Sequence, residues 1–236
     1  MREKKFFVFD LDGVLVDSTN LGCQKVQIIL ERLGLPAIPQ AFLAKHWGMK
    51  FDSFFKLIAQ ELGATPEQAQ QMIDLEPAVC LELPYKFEKE LFEALSNLKK
   101  FDYYVGLITS RSNRSLAQVV EQTGMNMSVF DKIQTTDHYY HHKPDGRVFG
   151  PFINWARTHG VWPGQMVYIG DTVDNDFVAT RDSDPPIDFI GVVSGANTRE
   201  DFLRVGVKNN RILEFTELPE YLNLVIRKKF KSYLHL

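Results

Sequence analysis

The sequence predicts an α/β protein: a doubly wound parallel sheet with an α-helical domain inserted after its first strand. Three observations lead there. Four short apolar runs, FFVFDLD (6–12), YVGLITS (104–110), QMVYIGD (165–171) and IDFIGVVSG (187–195), end in polar or glycine-containing turns. Segments with helical spacing lie between or just before these runs, at 91–100, 112–123, 145–159 and about 175–182. Residues 18–86 break that rhythm, holding several amphipathic segments and no strand-like run.

Each element has a local reason. Runs that are apolar on both faces suit strands covered by helices on both sides, which is the environment of a parallel sheet. Strand and helix in alternation then give a doubly wound, Rossmann-like core. In the insert, NLGCQKVQIILERLG (20–34) reads as a helix stopped by Gly34. TPEQAQQMIDLE (65–76) opens with Thr65 as N-cap, Pro66 in the first helical position and Gln68 closing a capping box. Pro36, Pro39, Pro77 and Pro84 are expected in the connections. RILEFTELPEYLNLVIRKKF (211–230) adds a short strand and a closing helix. The expected division is an α/β catalytic core from 1–17 and 87–236 and a helical cap from 18–86. An insert at that point should lie over the carboxyl ends of the strands, where open α/β sheets bind ligands, and so act as a lid.

Composition narrows the function. The 236 residues carry 44% hydrophobic and 24% charged side chains, an ordinary globular balance that argues against disorder. A formal net charge of -3 and scattered Lys and Arg offer no surface for nucleic-acid phosphates. Asp10 interrupts the N-terminal apolar run too early for a signal-peptide core, and no stretch is long enough for a membrane span. A cytoplasmic location is therefore expected. Cys23 and Cys80 lack metal-type spacing and suit reduced thiols better than a disulfide framework.

The chemistry gathers where the strands end. Side chains two apart on a strand point the same way, so Asp10 and Asp12 can face one site. Two close carboxylates repel unless a cation or a proton intervenes. Thr109 and Ser110 end the second run, Lys143 stands ahead of a helix capped by Asp145, and Asp171, Asp174 and Asp176 follow a later strand. Singly, each has an ordinary structural role. Together they supply a nucleophile, hydroxyl donors, a fixed cation and a group of carboxylates for a metal. His138, His141 and His142 lack spacing that fixes a metal geometry, and Trp155 and Phe152 read as core.

DLDGVLVDS (10–18), the strand ending in Thr109, Lys143 in KPDG and GDTVDND (170–176) resemble the four motifs of the haloacid dehalogenase-like hydrolases. The resemblance implies Mg²⁺-dependent phosphoryl transfer through an aspartyl-phosphate, with a small phosphorylated metabolite as substrate. Asp10 would attack phosphorus, while Asp12 would protonate the leaving oxygen and then activate water. Thr109, Ser110 and Lys143 would bind phosphoryl oxygens. Mg²⁺ would be held by Asp10, the backbone carbonyl of Asp12, Asp171 and a second residue of the fourth motif: Asp176, Asn175 or Asp174. Arg111 is a candidate for contact with phosphate or substrate, or a solvated residue at a helix start. Gly48, Met49 and Lys50 of HWGMK are candidate specificity contacts from the cap. A sugar phosphomutase could use the same core; a receiver-like signalling module would normally place its acids on different strands, and the complete set Asp10, Asp12, Thr109, Lys143 and Asp171 counts against a non-catalytic phosphate-binding protein.

Overall fold

In the computed structural model, which describes residues 4–46, 51–85 and 87–233, the apolar runs become strands of one six-stranded sheet. These are β1 (Phe6–Phe9), β2 (Tyr104–Ile108), β3 (Lys132–Gln134), β4 (Met166–Gly170), β5 (Asp188–Val193) and β6 (Ile212–Glu214). Their order is β3-β2-β1-β4-β5-β6, and every neighbouring pair is parallel. Phe9 is level with Leu107 of β2 and Ile169 of β4, so the residues that follow these three strands emerge together at one edge. The predicted sheet is present: the four apolar runs and the short strand expected in 211–230 account for five strands, and β3 is one more. β3 has only three residues and a single strongly apolar one, Ile133, too few to show a period. It is fixed instead by Asp131, whose backbone N–H donates to Val105 O at 2.7 Å, while its Oδ2 accepts from Val105 N at 2.8 Å and its other oxygen meets Lys99.

The chain divides into two compact units, Met1–Val16 with Lys86–Leu236, and Asp17–Tyr85. The second is all helical: α1 (Ser18–Arg32), α2 (Gln40–His46), α3 (Phe51–Leu62) and α4 (Pro66–Glu82). After α1, Gly34 N bonds Glu31 O at 3.0 Å and Leu35 N bonds Leu30 O at 2.9 Å, the two bonds of a Schellman stop. The predicted capping box is present: Gln68 N donates to Thr65 Oγ1 at 3.3 Å and Thr65 N to Gln68 Oε1 at 2.9 Å. Pro77 departs from the expected connection, because α4 runs straight through it. A proline inside a helix forfeits one backbone bond; here burial of Ala69, Met72 and Val79 on one face of α4 offsets that loss. Their neighbours in this unit's core include Ile29, Leu30, Phe54, Phe55 and Ile58.

The first unit carries α5 (Lys89–Lys100), α6 (Asn113–Thr123), α7 (Gly150–Thr158), α8 (Val178–Arg181), α9 (Arg199–Arg204) and α10 (Leu218–Tyr233). Phe6 of β1 stacks on Phe152 of α7 with ring centroids 5.8 Å apart, and Phe149 meets Tyr168 edge-on at 5.0 Å. Two helices differ from expectation. The segment 145–159 is split, with a 3-10 turn at Gly146–Phe149 before α7, because Pro151 has no N–H and suits the first turn of a new α-helix. The segment 175–182 begins with a π turn at Val173–Phe177 before α8. Among the described residues, no helix is long and apolar enough to cross a membrane.

Thr65→Ala removes one half of the capping box and is expected to cost about 0.5–2 kcal/mol in urea unfolding followed by circular dichroism. An unchanged midpoint would show that the box does not hold α4.

Candidate active site

With this strand order the winding reverses beside β1, and the crevice of an open α/β sheet opens there, outside the carboxyl ends of the strands. Asp10 follows β1, Thr109 follows β2 and Asp171 follows β4. Asp10 N donates to Ile169 O at 2.9 Å, so the end of the ladder itself fixes where its carboxylate begins.

Lys143 comes from the loop between β3 and the turn at Gly146–Phe149, and its side chain is 4% exposed. Its ammonium donates to Asp10 Oδ2 at 2.6 Å, Asp176 Oδ1 at 2.7 Å and Tyr168 Oη at 3.0 Å. Three donors thus meet three acceptors. Asp176 is wholly buried. Its Oδ1 also accepts from the Tyr168 hydroxyl at 3.1 Å, and its Oδ2 accepts from Asp171 N, Thr172 N and Thr172 Oγ1 at 3.1, 3.0 and 2.7 Å.

The π turn explains why Asp176 takes this place. Phe177 N reaches back five residues to Thr172 O at 3.1 Å, accommodating one residue more than an α turn. Asp174 and Asn175 face solvent, and Asp176 turns inward. Glycine makes the close approach possible: a Cβ on Gly170 would lie 2.5 Å from Asp176 Cβ. Gly13, the glycine of the D-x-D-G motif, has a φ of +70°, and a Cβ there would fall 2.0 Å from Asp171 Oδ2.

Asp10, Asp171 and Asp176, all buried, each offer one oxygen within 4.8 Å of the others. All three ligand atoms are carboxylate oxygens, the chemistry that suits a hard divalent cation. Asp171 Oδ2 accepts from Ser194 Oγ at 3.1 Å. The Asp12 carboxylate points elsewhere: Arg111 Nε and Nη2 donate to its two oxygens at 2.8 and 2.6 Å.

Burial dominates the electrostatics and pushes the Asp10 carboxyl up to about 7, against the pull of Lys143 and with added repulsion from Asp176 and Asp12. Burial also raises Asp171 well above the carboxylate range, helped by the charges of Asp176 and Asp10. For Asp176 burial works the same way, but Lys143 and the Thr172 hydrogen bonds overcome it and hold the group below its ordinary value. Burial disfavours the Lys143 charge; Asp10 and Asp176 outweigh it, and the ammonium is held well above the usual lysine range.

Among the other candidates, Thr109 is buried and its Oγ1 accepts from Arg111 N at 3.2 Å, while Ser110 is exposed. Thr109, Ser110 and Lys143 border one small cavity, with His141 and His142 on its wall. His141 pairs with Asp145 at 3.1 Å and His138 accepts from Thr135 N at 3.2 Å, so these histidines serve their own loop. Gly48, Met49 and Lys50 lie outside the described residues. Sequence reasoning missed Tyr168, Thr172 and Ser194. Tyr168 reads as an ordinary core residue of its strand, whereas Ser194 ends a strand as Thr109 does and was open to the same inference.

The family described as haloacid dehalogenase-like hydrolase matches residues 7–192. A phosphoglycolate phosphatase of Psychrobacter arcticus is 23% identical over 230 residues, spanning 93% of this chain and 96% of the relative. A pyrophosphatase of Bacillus velezensis is 25% identical over 167 residues, spanning 70% and 73%. The crystal structure of a hydrolase of the same family from Deinococcus radiodurans, with bound phosphate and sodium, superposes with a TM-score of 0.76 at 20% identity, covering 94% of this chain and 96% of that one.

Lys143→Met should leave two buried carboxylates, Asp10 and Asp176, without their cation. Breaking a buried ion pair from one side costs about 3–5 kcal/mol, so in chelator-treated protein the urea midpoint is expected to fall sharply. A parent-like midpoint would mean that the ammonium does not hold this site together.

Proposed function

We propose that this chain, which belongs to the haloacid dehalogenase-like hydrolase family, releases phosphate from a small phosphorylated metabolite in two steps through an aspartyl-phosphate on Asp10. In the first step an Asp10 oxygen attacks phosphorus, the bond from phosphorus to the leaving oxygen breaks, and Asp12 supplies the proton to that oxygen. In the second, water attacks phosphorus, Asp12 accepts its proton, and the acyl-phosphate bond breaks to give inorganic phosphate and free Asp10. Splitting one displacement into two lowers the barrier of each. Thr109, Ser110 and Lys143 hold the transferring oxygens, and Lys143 keeps charge beside the nucleophile.

The observation that carries this proposal is the meeting of Asp10, Asp171 and Asp176 within 4.8 Å around an ammonium 2.6 Å from Asp10. These residues fit Mg²⁺: Asp10, Asp171 and Asp176 would hold it, with the Asp12 carbonyl. When bound, the ion supplies positive charge against the repulsion between carboxylate and phosphate. The phosphatase relatives support a phosphomonoester of small size, and the phosphoglycolate phosphatases make 2-phosphoglycolate the first compound to test. In this proposal residues 18–86 form a helical cap domain, and Gly48, Met49 and Lys50 contribute to substrate choice.

A phosphate-release screen across phosphoglycolate, sugar phosphates and nucleotides, with and without Mg²⁺, tests the assignment. Release is expected to stop with chelator and to return with Mg²⁺. Isomerised sugar phosphate without free phosphate would identify a mutase instead. Asp10→Asn should remove turnover while leaving the circular dichroism spectrum intact. Asp12→Asn should lower kcat/KM by roughly 10²–10⁴-fold for a substrate with a poor leaving group; a parent-like value would move the proton-transfer role to another residue.

A further inference from the structure

Arg111 was the least determined candidate in the sequence, and the structure gives it a specific neighbour. Its guanidinium meets the Asp12 carboxylate side-on, Nε to Oδ2 at 2.8 Å and Nη2 to Oδ1 at 2.6 Å. The third nitrogen, Nη1, donates to Ser115 Oγ of α6 at 3.0 Å. The arginine backbone is tied as well, with its N–H donating to Thr109 Oγ1 at 3.2 Å. Ser115 in turn sits on the first turn of α6, where its N–H bonds the Ser112 cap at 3.2 Å. A planar fork anchored at its far end fixes both the position and the plane of the carboxylate it grips. The pair is half-sheltered, with side-chain exposures of 20% for Arg111 and 31% for Asp12.

We infer that Arg111 is a positioning residue for Asp12: its two parallel hydrogen bonds aim the carboxylate that moves protons, and α6 holds the arginine in place. This rests on the proton-transfer role proposed above for Asp12. The aim of Asp12 is thereby set inside the α/β unit, by residues of the β2–α6 connection. A carboxylate swinging through its rotamers would spend only part of its time in reach of the reacting oxygen. Displacement by even about 1 Å can lower a rate 10²-fold.

Two alternative duties, as a phosphate ligand or as a general source of positive charge, give different results. Arg111→Lys keeps the charge and loses the fork. On the positioning assignment, kcat/KM for an alkyl phosphate falls at least about tenfold in Arg111→Lys and Arg111→Ala alike, within the span of general acid-base catalysis, and inhibition of Arg111→Lys by inorganic phosphate stays at the parent value. Arg111→Ala introduced into Asp12→Asn should bring no further loss, followed by the nitrophenolate burst from p-nitrophenyl phosphate. Ser115→Ala, which frees only the far end of the fork, should give a smaller loss of the same kind with an unchanged melting temperature. Parent-like rates in Arg111→Lys, weakened phosphate inhibition in that variant, or additive losses in the double variant would each overturn the inference. Failure of the Asp12 role is distinguishable, because Asp12→Asn alone would then keep the parent kcat/KM.

Discussion

A single buried ammonium organises the catalytic end of this molecule. Lys143 lies between Asp10 and Asp176 at hydrogen-bond distance from both, and Tyr168 accepts its third proton. Taking an ammonium and carboxylates out of water is expensive, and the expense is recovered only when every donor and acceptor has a partner. That requirement ties together parts of the chain far apart in sequence: the end of β1, the loop after β3, the body of β4 and the turn that follows it. The parallel sheet supplies the common edge; the lysine supplies the reason for acids to converge on it.

The acids nonetheless do not share the charge equally. Asp176 accepts hydrogen bonds from Lys143, Tyr168, Thr172 and the Asp171 backbone, and its charge is well supported. Asp10 has Lys143 and one backbone N–H, and burial leaves its carboxyl near 7. The group proposed as nucleophile is thus the less supported of the two, poised to gain from further positive charge. Asp12 is governed separately, by Arg111.

Much of this was legible in the sequence. Asp10, Asp12, Thr109, Lys143 and Asp171 stand at strand ends or in the turn before a helix, and a strand end is marked by a switch from apolar to polar residues. Gly13 was legible too, as part of a motif, though its reason is spatial: it makes room for Asp171. What could not be read depends on distances across the chain or on small changes of helical pitch. Arg111 and Asp12 are 99 positions apart, so nothing local announces the pair. Tyr168 looks like any buried strand residue until Lys143 is placed against it. β3 was too short for a period, and which of Asp174, Asn175 and Asp176 turns inward depended on a π turn that an assumed α-helix conceals. Pro77, expected to punctuate a connection, shows the converse, a helix that packing carries through its weakest residue.

The π turn at Val173–Phe177 has a consequence for how this segment can vary over time. Residues 174 and 175 point to solvent, so their identities are loosely constrained. Their number is not. Losing one of them would close the wide turn to an ordinary α turn and change the spacing by which residue 176 reaches both Thr172 and Lys143. Drift at these two positions is thus open to exchange of side chains and closed to insertion or deletion.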